Sequence, residues 1–338
     1  HISYNSCRNR HCPKCQASSA KRWLEARQAQ LLPVDYYHLV FTLPKKVANL
    51  AYYNKSVMYG LLLKTAAETL LTIGADAKRL GAKLGVTFVL HTWGSTMTHH
   101  PHVHGIVPGG GLSADGDHWV SCKSGFFLPV RVLSRLFRRL YLEKLAQAYQ
   151  QHSLMFFGKN KPLEDEVLFA KWLAPLRKKE WVVYAKRPFA GPKAVFAYLS
   201  RYTHRVAISN SRLVKCDSKS VTFRCKNYRA KASVRYRTMT LDNDEFIRRF
   251  LLHTLPSGFH RIRHYGLIAN TGCKKNLVKA RQLLNVVEVV SETKDLVEDK
   301  PIKLETVFVC PECGGPMVIK EILICQLKPR APPMKLVN

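Results

Sequence analysis

Histidines are concentrated in the stretch MTHHPHVHGIVPGGG, residues 97–111, and they are the side chains best suited to chemistry in this sequence. His102 and His104 are separated by one residue. On a β-strand that spacing places both imidazoles on the same face of the sheet. Two neutral imidazoles directed at one point form half of a metal site. An HxH pair alone is weak evidence for a metal site. A complete site also needs a third ligand.

The third ligand is predicted to be a histidine, because the sequence contains no Asp or Glu between residues 78 and 114. A strand predicted over 85–94 precedes the strand that carries the histidine pair, and His91 on it would lie across the hairpin. His99 and His100, in the predicted loop STMTHH, are the alternatives. The competing interpretation of His91 is a strand histidine that only satisfies a hydrogen bond.

Tyrosines form the second candidate constellation. Tyr198 and Tyr202, in YLSRY, are four residues apart on a helix predicted over 191–205, so they share one helical face. A packing pair is the usual meaning of this spacing. A phenol becomes a nucleophile where a metal or a cation stabilises its oxyanion. Four basic residues surround this pair: Lys193, Arg201, His204 and Arg205.

The charge balance indicates a polyanionic partner. The 338 residues include 54 Lys and Arg against 23 Asp and Glu, a net charge of +31, and nucleic acid is the commonest partner of such a protein. The charges are spread along the whole chain, which disfavours a membrane anchor. No apolar run reaches the roughly 18–20 residues that span a bilayer. The opening HISYNSCRNRHCPKCQ has no apolar signal segment, and a start at His rather than Met favours a clipped chain.

Cysteine spacing predicts zinc ligation rather than a disulfide framework. The two clusters have the short spacings of thiolate zinc sites in a reducing compartment. They consist of Cys7, Cys12 and Cys15 near the start and of Cys310 and Cys313 near the end. Three thiolates leave the first site one ligand short, with His1 or His11 as the stand-in. Cys325 is the candidate third ligand of the second site.

The remaining pattern predicts an α+β fold with an antiparallel sheet. Helices are predicted over 17–32, 46–80, 128–151, 163–178, 191–205 and 242–255. Strands are predicted over 35–44, 85–94, 101–111, 118–122 and 180–188, with two more between 206 and 236. The strands at 85–94 and 101–111 form a hairpin with a long connection.

Two basic segments are candidates for gripping a nucleic acid. The helix over 128–151 carries a stripe of four arginines with no acidic partner, at Arg131, Arg135, Arg138 and Arg139. A solvated helix face is the alternative interpretation. The segment GFHRIRHYG contributes two more candidate contacts, Arg261 and Arg263. Phe259 and Tyr265 in the same segment are either stacking platforms for bases or core residues.

Taken in order, these strings resemble one family. FTLP at 41–44, a hairpin ending in His-Val-His and a later Tyr-x3-Tyr follow the order of the HUH single-strand endonucleases. More closely, HTWGSTMTHHPHVHGIVPGGG (91–111), YLSRYTHRVAISN (198–210) and GFHRIRHYG (258–266) are similar to the two-tyrosine rolling-circle transposases of the insertion-sequence-ninety-one type. The resemblance covers essentially the whole chain.

The resemblance implies an HUH-nuclease sheet flanked by helices and a reaction that the residues can carry. His102 and His104, with His91, would hold Mg²⁺ or Mn²⁺ against the scissile phosphate of single-stranded DNA. Tyr198 or Tyr202 would attack, leaving a free 3′-hydroxyl and a 5′-phosphotyrosine. Because that link conserves the energy of the ester, the strand could be rejoined without ATP. The second tyrosine would permit a second cleavage before the first link is resolved.

The resemblance also implies three regions. These are a partial N-terminal zinc-binding module with a basic helix at 1–32, a nuclease domain at 33–285, and a linker, CxxC half-ribbon and tail at 286–338. In the family the string YNSCRNRHCPKCQ closes an N-terminal zinc-binding module, whose upstream ligands are absent before His1. Arg201 and Arg205, beside the tyrosines, are expected to contact DNA.

The sequence contains no G-x4-G-K-[S/T] string, so strand separation is expected from host replication or helicase machinery. The expected location is the bacterial cytoplasm, in association with the nucleoid. Two competing hypotheses remain. One is a rolling-circle replication initiator or conjugative relaxase, and the other is a non-catalytic zinc-ribbon DNA-binding protein.

Overall fold

The computed structural model describes residues 13–186, 194, 207–227, 236–286, 308–309 and 316–317, with side chains from residue 20 onward in the first range. The chain divides into two compact units, His1–Val287 and Glu288–Asn338. In the second unit the described residues form one antiparallel pair, β11 (Phe308–Val309) and β12 (Pro316–Met317).

The first unit contains helices and strands in mixed order. The helices are α1 (Pro13–Gln28), α2 (Lys45–Tyr53), α3 (Lys55–Ala75), α4 (Val130–Gln150), α5 (Glu166–Lys178), α6 (Asn243–Leu251) and α7 (Cys273–Leu283), with 3-10 turns at Gly158–Glu164 and Asn210–Arg212. The strands are β1 (Tyr36–Thr42), β2 (Gly85–Trp93), β3 (His99–Pro108), β4 (Gly110–Leu112), β5 (Trp119–Ser121), β6 (Val183–Lys186), β7 (Leu213–Cys216), β8 (Ser220–Lys226), β9 (Tyr236–Asp242) and β10 (Ile262–Gly266).

Five strands form the central sheet in the order β10-β2-β3-β1-β6, and every neighbouring pair is antiparallel. The histidine-rich strand β3 is the middle strand, so it is fixed by hydrogen bonds to both β2 and β1. The α+β class with an antiparallel sheet is therefore confirmed. Smaller antiparallel sheets are formed by β4 with β5 and by β7, β8 and β9.

Alternation along the strands gives the central sheet one apolar face and one face that carries histidines. Leu39 and Phe41 on β1 and Val103 on β3 are fully buried in a core with α2, α3 and α4. His38 and His104 alternate with those residues and therefore point to the opposite face. We call these the core face and the histidine face. Helix α1 packs on part of the histidine face, where Trp23 and Leu24 contact Tyr36 and Ile106.

Helix α3 is long and apolar enough to cross a membrane by length and composition, and it is the one such helix in the described part of the chain. Its apolar run is interrupted, because Lys64 and Glu68 lie within it. In the fold, 61% of this stretch is buried. Leu62 and Leu70 are completely buried in the core between the sheet and α4. Burial in the core is enough to account for its apolar composition.

The second sheet, β7-β8-β9, forms a smaller layer with α6. On β8 the alternating residues Val221, Phe223 and Cys225 are buried. The ring of Phe223 packs edge-on against Phe246 of α6, with centroids 5.9 Å apart. We refer to the described residues 207–227 and 236–253, which include this sheet, α6 and the residues that follow it, as the accessory layer.

Most elements predicted within the described residues are present, with several differences, and the helix predicted over 191–205 lies outside the described residues apart from residue 194. The connection between β2 and β3 is a tight turn over 94–98, because β3 begins at His99 and not at 101. Three strands rather than two occupy the accessory layer, and the third begins where the second was expected to end. The predicted helix over 46–80 is divided at Asn54, whose side chain donates to the carbonyls of Leu50 and Met155. Strand β10 and helix α7 were not predicted.

Candidate metal centre and nucleic-acid cleft

Three histidines meet on the histidine face of the central sheet. The register of the hairpin pairs His91 directly with His102, and His104 lies two residues further along the same face. The metal-ligating atoms of the three side chains all lie within 4.8 Å of one another. Among the described residues this is the one group of three or more His, Cys, Asp or Glu with that spacing. We call it the three-histidine cluster.

The alternative third ligands have other surroundings. His99 points toward the core face, where its Nε2 is 2.7 Å from the hydroxyl of Tyr59. His100 lies beside His102, with ring centroids 5.2 Å apart, and lines the cleft rather than joining the cluster. The strand geometry therefore brings His91, and not His99, to the pair.

Hydrogen bonds orient two rings of the cluster. The Nδ1 of His102 donates to the carbonyl oxygen of His100 at 2.7 Å, which leaves its Nε2 as the atom with a lone pair. The Nδ1 of His104 is 2.7 Å from Nε2 of His38 on β1, and these two rings are stacked within 6° of parallel. In each ring, one nitrogen is thus fixed by a hydrogen bond and the second nitrogen is directed away from that partner, as is usual for metal-ligating imidazoles.

His38 is a site residue that the sequence did not reveal. It lies on β1, opposite Ile106 of β3, and its partner His104 is 66 positions away in the chain. A lone histidine in the apolar strand YYHLVFT was the available signal, but its neighbour is known only once the β1–β3 register is known. Burial lowers the pKa of His38 to about 4, and the nearby charge of Lys186 acts in the same direction.

Two of the cluster imidazoles, His102 and His104, are neutral at physiological pH. Burial lowers the pKa of His102 to about 4. The hydrogen bond to the carbonyl of His100 opposes this shift, and the rings of His100 and His38 add to it. Burial also places the pKa of His104 well below its usual range, assisted by His91 and His102. Neutral imidazoles offer lone pairs to a cation, so this arrangement suits a metal ion.

A cleft of about 550 Å³ opens over the cluster. The ring of Trp93 stacks on His91 with centroids 4.8 Å apart and forms part of its lining. The strand β6 contributes Tyr184, and the accessory layer contributes Lys226 and Tyr236. No carboxylate is present among the described residues that line the cleft. A polyanion can therefore approach the histidines without meeting a negative side chain there.

The accessory layer holds the turn of the histidine hairpin. Three side chains donate to three successive carbonyls of this turn: Arg212 to Ser95, Arg249 to Thr96 at 3.1 Å and His253 to Met97 at 3.0 Å. Met97 has a φ of 58° and is completely buried against residues of that layer. These contacts fix the turn that joins the strands of His91 and His102.

The arginines of α4 lie away from the cluster, because α4 packs on the core face. For the stripe Arg131, Arg135, Arg138 and Arg139, the expectation that it has no acidic partner was wrong at Arg139, and its contact with DNA stays a prediction. Arg139 forms an ion pair with Glu143 one turn later at 3.7 Å, and Arg138 donates to the carbonyl of Lys179 at 2.6 Å.

The segment 257–266 has a structural role. Arg263 lies over the ring of Phe259 at 5.1 Å, and Phe259 is buried in the core. Tyr265 is partly buried and packs against Phe88 at the edge of the core, so Phe259 and Tyr265 contribute to packing. The carbonyl of Arg261 accepts a hydrogen bond from Leu90 and extends the β10–β2 pairing.

Several predicted site residues lie outside the described residues. They are Tyr198, Tyr202, Arg201, Arg205, Cys7, Cys12, Cys310 and Cys313. Cys15 belongs to α1, but its side chain is not described. The roles assigned to these residues stay predictions.

The five-stranded antiparallel sheet carries an HUH-like histidine cluster, with a His-hydrophobic-His pair on its middle strand and a third histidine on the next strand. A family profile described as "Putative transposase" matches residues 85–276, more than half of the chain. A second profile, "Transposase zinc-binding domain", matches residues 1–43, which include the first cysteine cluster.

Named relatives agree with these profiles. "Putative transposase y4qJ" of Sinorhizobium fredii (strain NBRC 101917 / NGR234) is 53% identical over 327 residues, which cover 95% of this chain and 82% of that protein. "Transposase for insertion sequence element IS801" of Pseudomonas savastanoi pv. phaseolicola is 26% identical over 292 residues, covering 85% of this chain and 67% of that one. The chain belongs to this transposase family, of the insertion-sequence-ninety-one type.

Among solved structures, the conjugative relaxase TrwC in complex with oriT DNA aligns with a TM-score of 0.27 at 15% identity, over 49% of this chain and 71% of that chain. A likeness at this level does not bear on function.

Proposed function

We propose that this transposase cleaves and rejoins single-stranded DNA at the three-histidine cluster, with a divalent metal ion and a tyrosine nucleophile, in rolling-circle transposition. The observation that carries the proposal is the cluster itself. Three imidazoles with ligand atoms within 4.8 Å of one another lie in an open cleft whose described lining contains no carboxylate. Such a site can bind a cation, and the bound cation can then bind an anionic substrate.

The donor set fits a divalent ion. His91, His102 and His104 would hold it, and three protein ligands leave further coordination positions for substrate oxygens. Imidazole nitrogens suit Mn²⁺ better than Mg²⁺, which prefers oxygen ligands, so phosphate oxygens of DNA would be needed to complete a Mg²⁺ site. When bound, the ion would withdraw charge from the phosphoryl oxygens and orient the ester for in-line attack.

The nucleophile would be Tyr198 or Tyr202. Its phenolic oxygen would form a bond to phosphorus while the bond from phosphorus to O3′ breaks and that oxygen takes up a proton. The products are a 5′-phosphotyrosine and a free 3′-hydroxyl. Attack of a 3′-hydroxyl on the phosphotyrosine reverses the step and rejoins DNA, with Arg201 and Arg205 contacting the strand. His38 would accept a hydrogen bond from His104 and so keep its other nitrogen directed at the ion.

The rest of the chain would support this reaction. We propose a zinc-binding module with a basic helix at 1–32, the nuclease domain at 33–285, and a linker, CxxC half-ribbon and tail at 286–338. Zinc would be bound by Cys7, Cys12 and Cys15 and by Cys310 and Cys313, and elemental analysis should find zinc in the purified protein. Host replication or helicase machinery would supply the single strand in a bacterial cytoplasm, at the nucleoid.

The experiment is a denaturing-gel assay with labelled single-stranded DNA from the ends of the element, in Mn²⁺, Mg²⁺ or EDTA. His102→Ala should reduce cleavage about a hundredfold or more, the scale of the several kcal/mol that a metal ion supplies. His118→Ala, an exposed histidine elsewhere, is the matched control and should cleave normally. Tyr198→Phe and Tyr202→Phe assign the two tyrosines, and the double variant should be inactive.

The alternatives give different results. A non-catalytic zinc-ribbon protein would bind the DNA tightly and never cleave it in any metal. A replication initiator or relaxase would cleave an origin sequence and not the ends of an insertion element.

A further inference from the structure

We propose that Tyr184 and Tyr236 form a base-stacking subsite that grips the nucleotides beside the scissile phosphate. This inference rests on the proposed function for the position of that phosphate. Both rings line the cleft over the three-histidine cluster. Both are also unusually open for tyrosines, with exposed fractions of 54% and 58%.

The position of Tyr184 follows from strand register. Val40 of β1 pairs with His104 on one side and with Tyr184 of β6 on the other. Residues paired in this way lie on the same face of the sheet, so Tyr184 is on the histidine face. Neighbouring strands are about 4.8 Å apart, which places the backbone of Tyr184 about 10 Å from that of His104.

Each ring has a lysine beside it. The Nζ of Lys186 is 5.9 Å from the ring centroid of Tyr184. Lys226 is the cross-strand partner of Tyr236 and lines the same cleft. An aromatic ring beside a cation is the combination by which proteins bind single-stranded nucleic acid without reading its sequence, since the ring stacks on a base and the cation meets the phosphate.

The chemical class of the ligand follows from this arrangement. Only an unpaired base can lay its face on a tyrosine ring, because the bases of a duplex are already stacked on each other. The subsite would therefore select single-stranded over double-stranded DNA next to the cluster. A second cavity, of about 590 Å³, shares His100 and Lys226 with the cleft and adds Arg237. It offers the strand a continuous basic path away from the site.

The test is a binding measurement that does not need cleavage. Fluorescein-labelled single-stranded oligonucleotides are titrated with the full chain in EDTA and followed by anisotropy. Tyr184→Ala and Tyr236→Ala should each weaken binding about fivefold to a hundredfold, whereas Tyr184→Phe and Tyr236→Phe should bind within about twofold of the wild type. Tyr53→Ala, an exposed tyrosine outside the cleft, is the matched control and should bind normally.

An abasic oligonucleotide series gives a second readout on the wild-type protein. Removal of the base that stacks on a ring should weaken wild-type binding, and the Ala variant at that ring should lose nothing more with the same abasic strand. Normal binding by the Ala variants, a Phe variant as weak as the Ala variant, or equal affinity for duplex DNA would each overturn the subsite. If binding depends on the two rings but no cleavage is seen in the gel assay, the proposed reaction is refuted and the subsite is retained. If cleavage occurs but binding does not depend on the rings, only the subsite is refuted.

Discussion

The buried histidine His253 should make the protein less stable in mild acid, by an amount that follows from its surroundings. His253 is 2% exposed. Its Nε2 donates to the carbonyl of Met97 at 3.0 Å and its Nδ1 is 3.1 Å from the hydroxyl of Thr92. Burial lowers its pKa from 6.5 to about 4, the hydrogen bond to Met97 opposes this shift, and the charge of Lys55 adds to it. The neutral ring is therefore the form that holds the hairpin turn.

The sign follows from proton linkage. Between pH 6.5 and about 4, the unfolded chain binds a proton at His253 that the folded chain does not bind. The free energy of unfolding therefore falls as the pH falls through that window, and this contribution is absent above it. For these two pKa values the loss between pH 7 and pH 5 is about 2 kcal/mol.

The assay compares the wild type with His253→Gln. Glutamine does not titrate, and its side chain can keep one donor toward Met97 and one acceptor toward Thr92. Urea unfolding is followed by tryptophan fluorescence at pH 7 and pH 5 in EDTA. The wild type should lose about 2 kcal/mol more than the variant between the two pH values, because the other histidines titrate in both proteins.

His260→Gln, at an exposed histidine, is the control and should behave as the wild type. A difference below about 0.5 kcal/mol between the wild type and His253→Gln would mean that His253 binds its proton equally well in the folded and unfolded states, contrary to this prediction.

His38→Ala should weaken Mn²⁺ binding about 10- to 100-fold in isothermal titration calorimetry, because His104 loses the ring that orients it; unchanged affinity would contradict that role. Gly266→Ala should lower the free energy of unfolding by about 2 kcal/mol or more, since its φ is +63° and the added Cβ would meet a backbone carbonyl oxygen. Urea unfolding at wild-type stability would exclude this. Lys226→Gln should reduce the slope of log affinity for single-stranded DNA against log salt by about 0.7, whereas Arg135→Gln, on the helix of the core face, should leave the slope unchanged. Equal effects of the two variants would mean that DNA also follows α4.

Much of the three-histidine cluster could be predicted because it depends on local rules. The alternation of side chains along a strand places His102 and His104 on one face whatever the rest of the fold does. The hairpin between neighbouring strands then brings His91 opposite them. The long, ordered strings around these residues are also specific enough to indicate the family from the amino-acid sequence alone.

The parts that could not be predicted depend on pairings between distant segments. His38 reaches His104, and Tyr184 lines the cleft, only because β1 pairs with β3 on one side and with β6 on the other. Arg212 and Arg249 donate hydrogen bonds to the hairpin turn only because the accessory layer packs against that turn. Neither pairing leaves a periodic signal in the sequence.

Helix α4 shows a different kind of limit. Its apolar stripe correctly predicted a buried side, but an amphipathic pattern does not say which face of a sheet the helix covers. The arginines were therefore assigned to DNA on charge alone. The ion pair of Arg139 with Glu143 is an i, i+4 pair, so the spacing of the two residues already favoured it over a free arginine.

The proposed tyrosine chemistry is best tested by mass spectrometry of the covalent protein–DNA adduct. The full chain is incubated with single-stranded DNA from the ends of the element and Mn²⁺, digested with protease and nuclease, and searched for a peptide that carries a nucleotide through a 5′-phosphotyrosine. The modification is expected at Tyr198 or Tyr202, formed by the wild type and not by His102→Ala. An adduct at Tyr184 or Tyr236, or strand cleavage with no adduct at any tyrosine, would contradict this expectation.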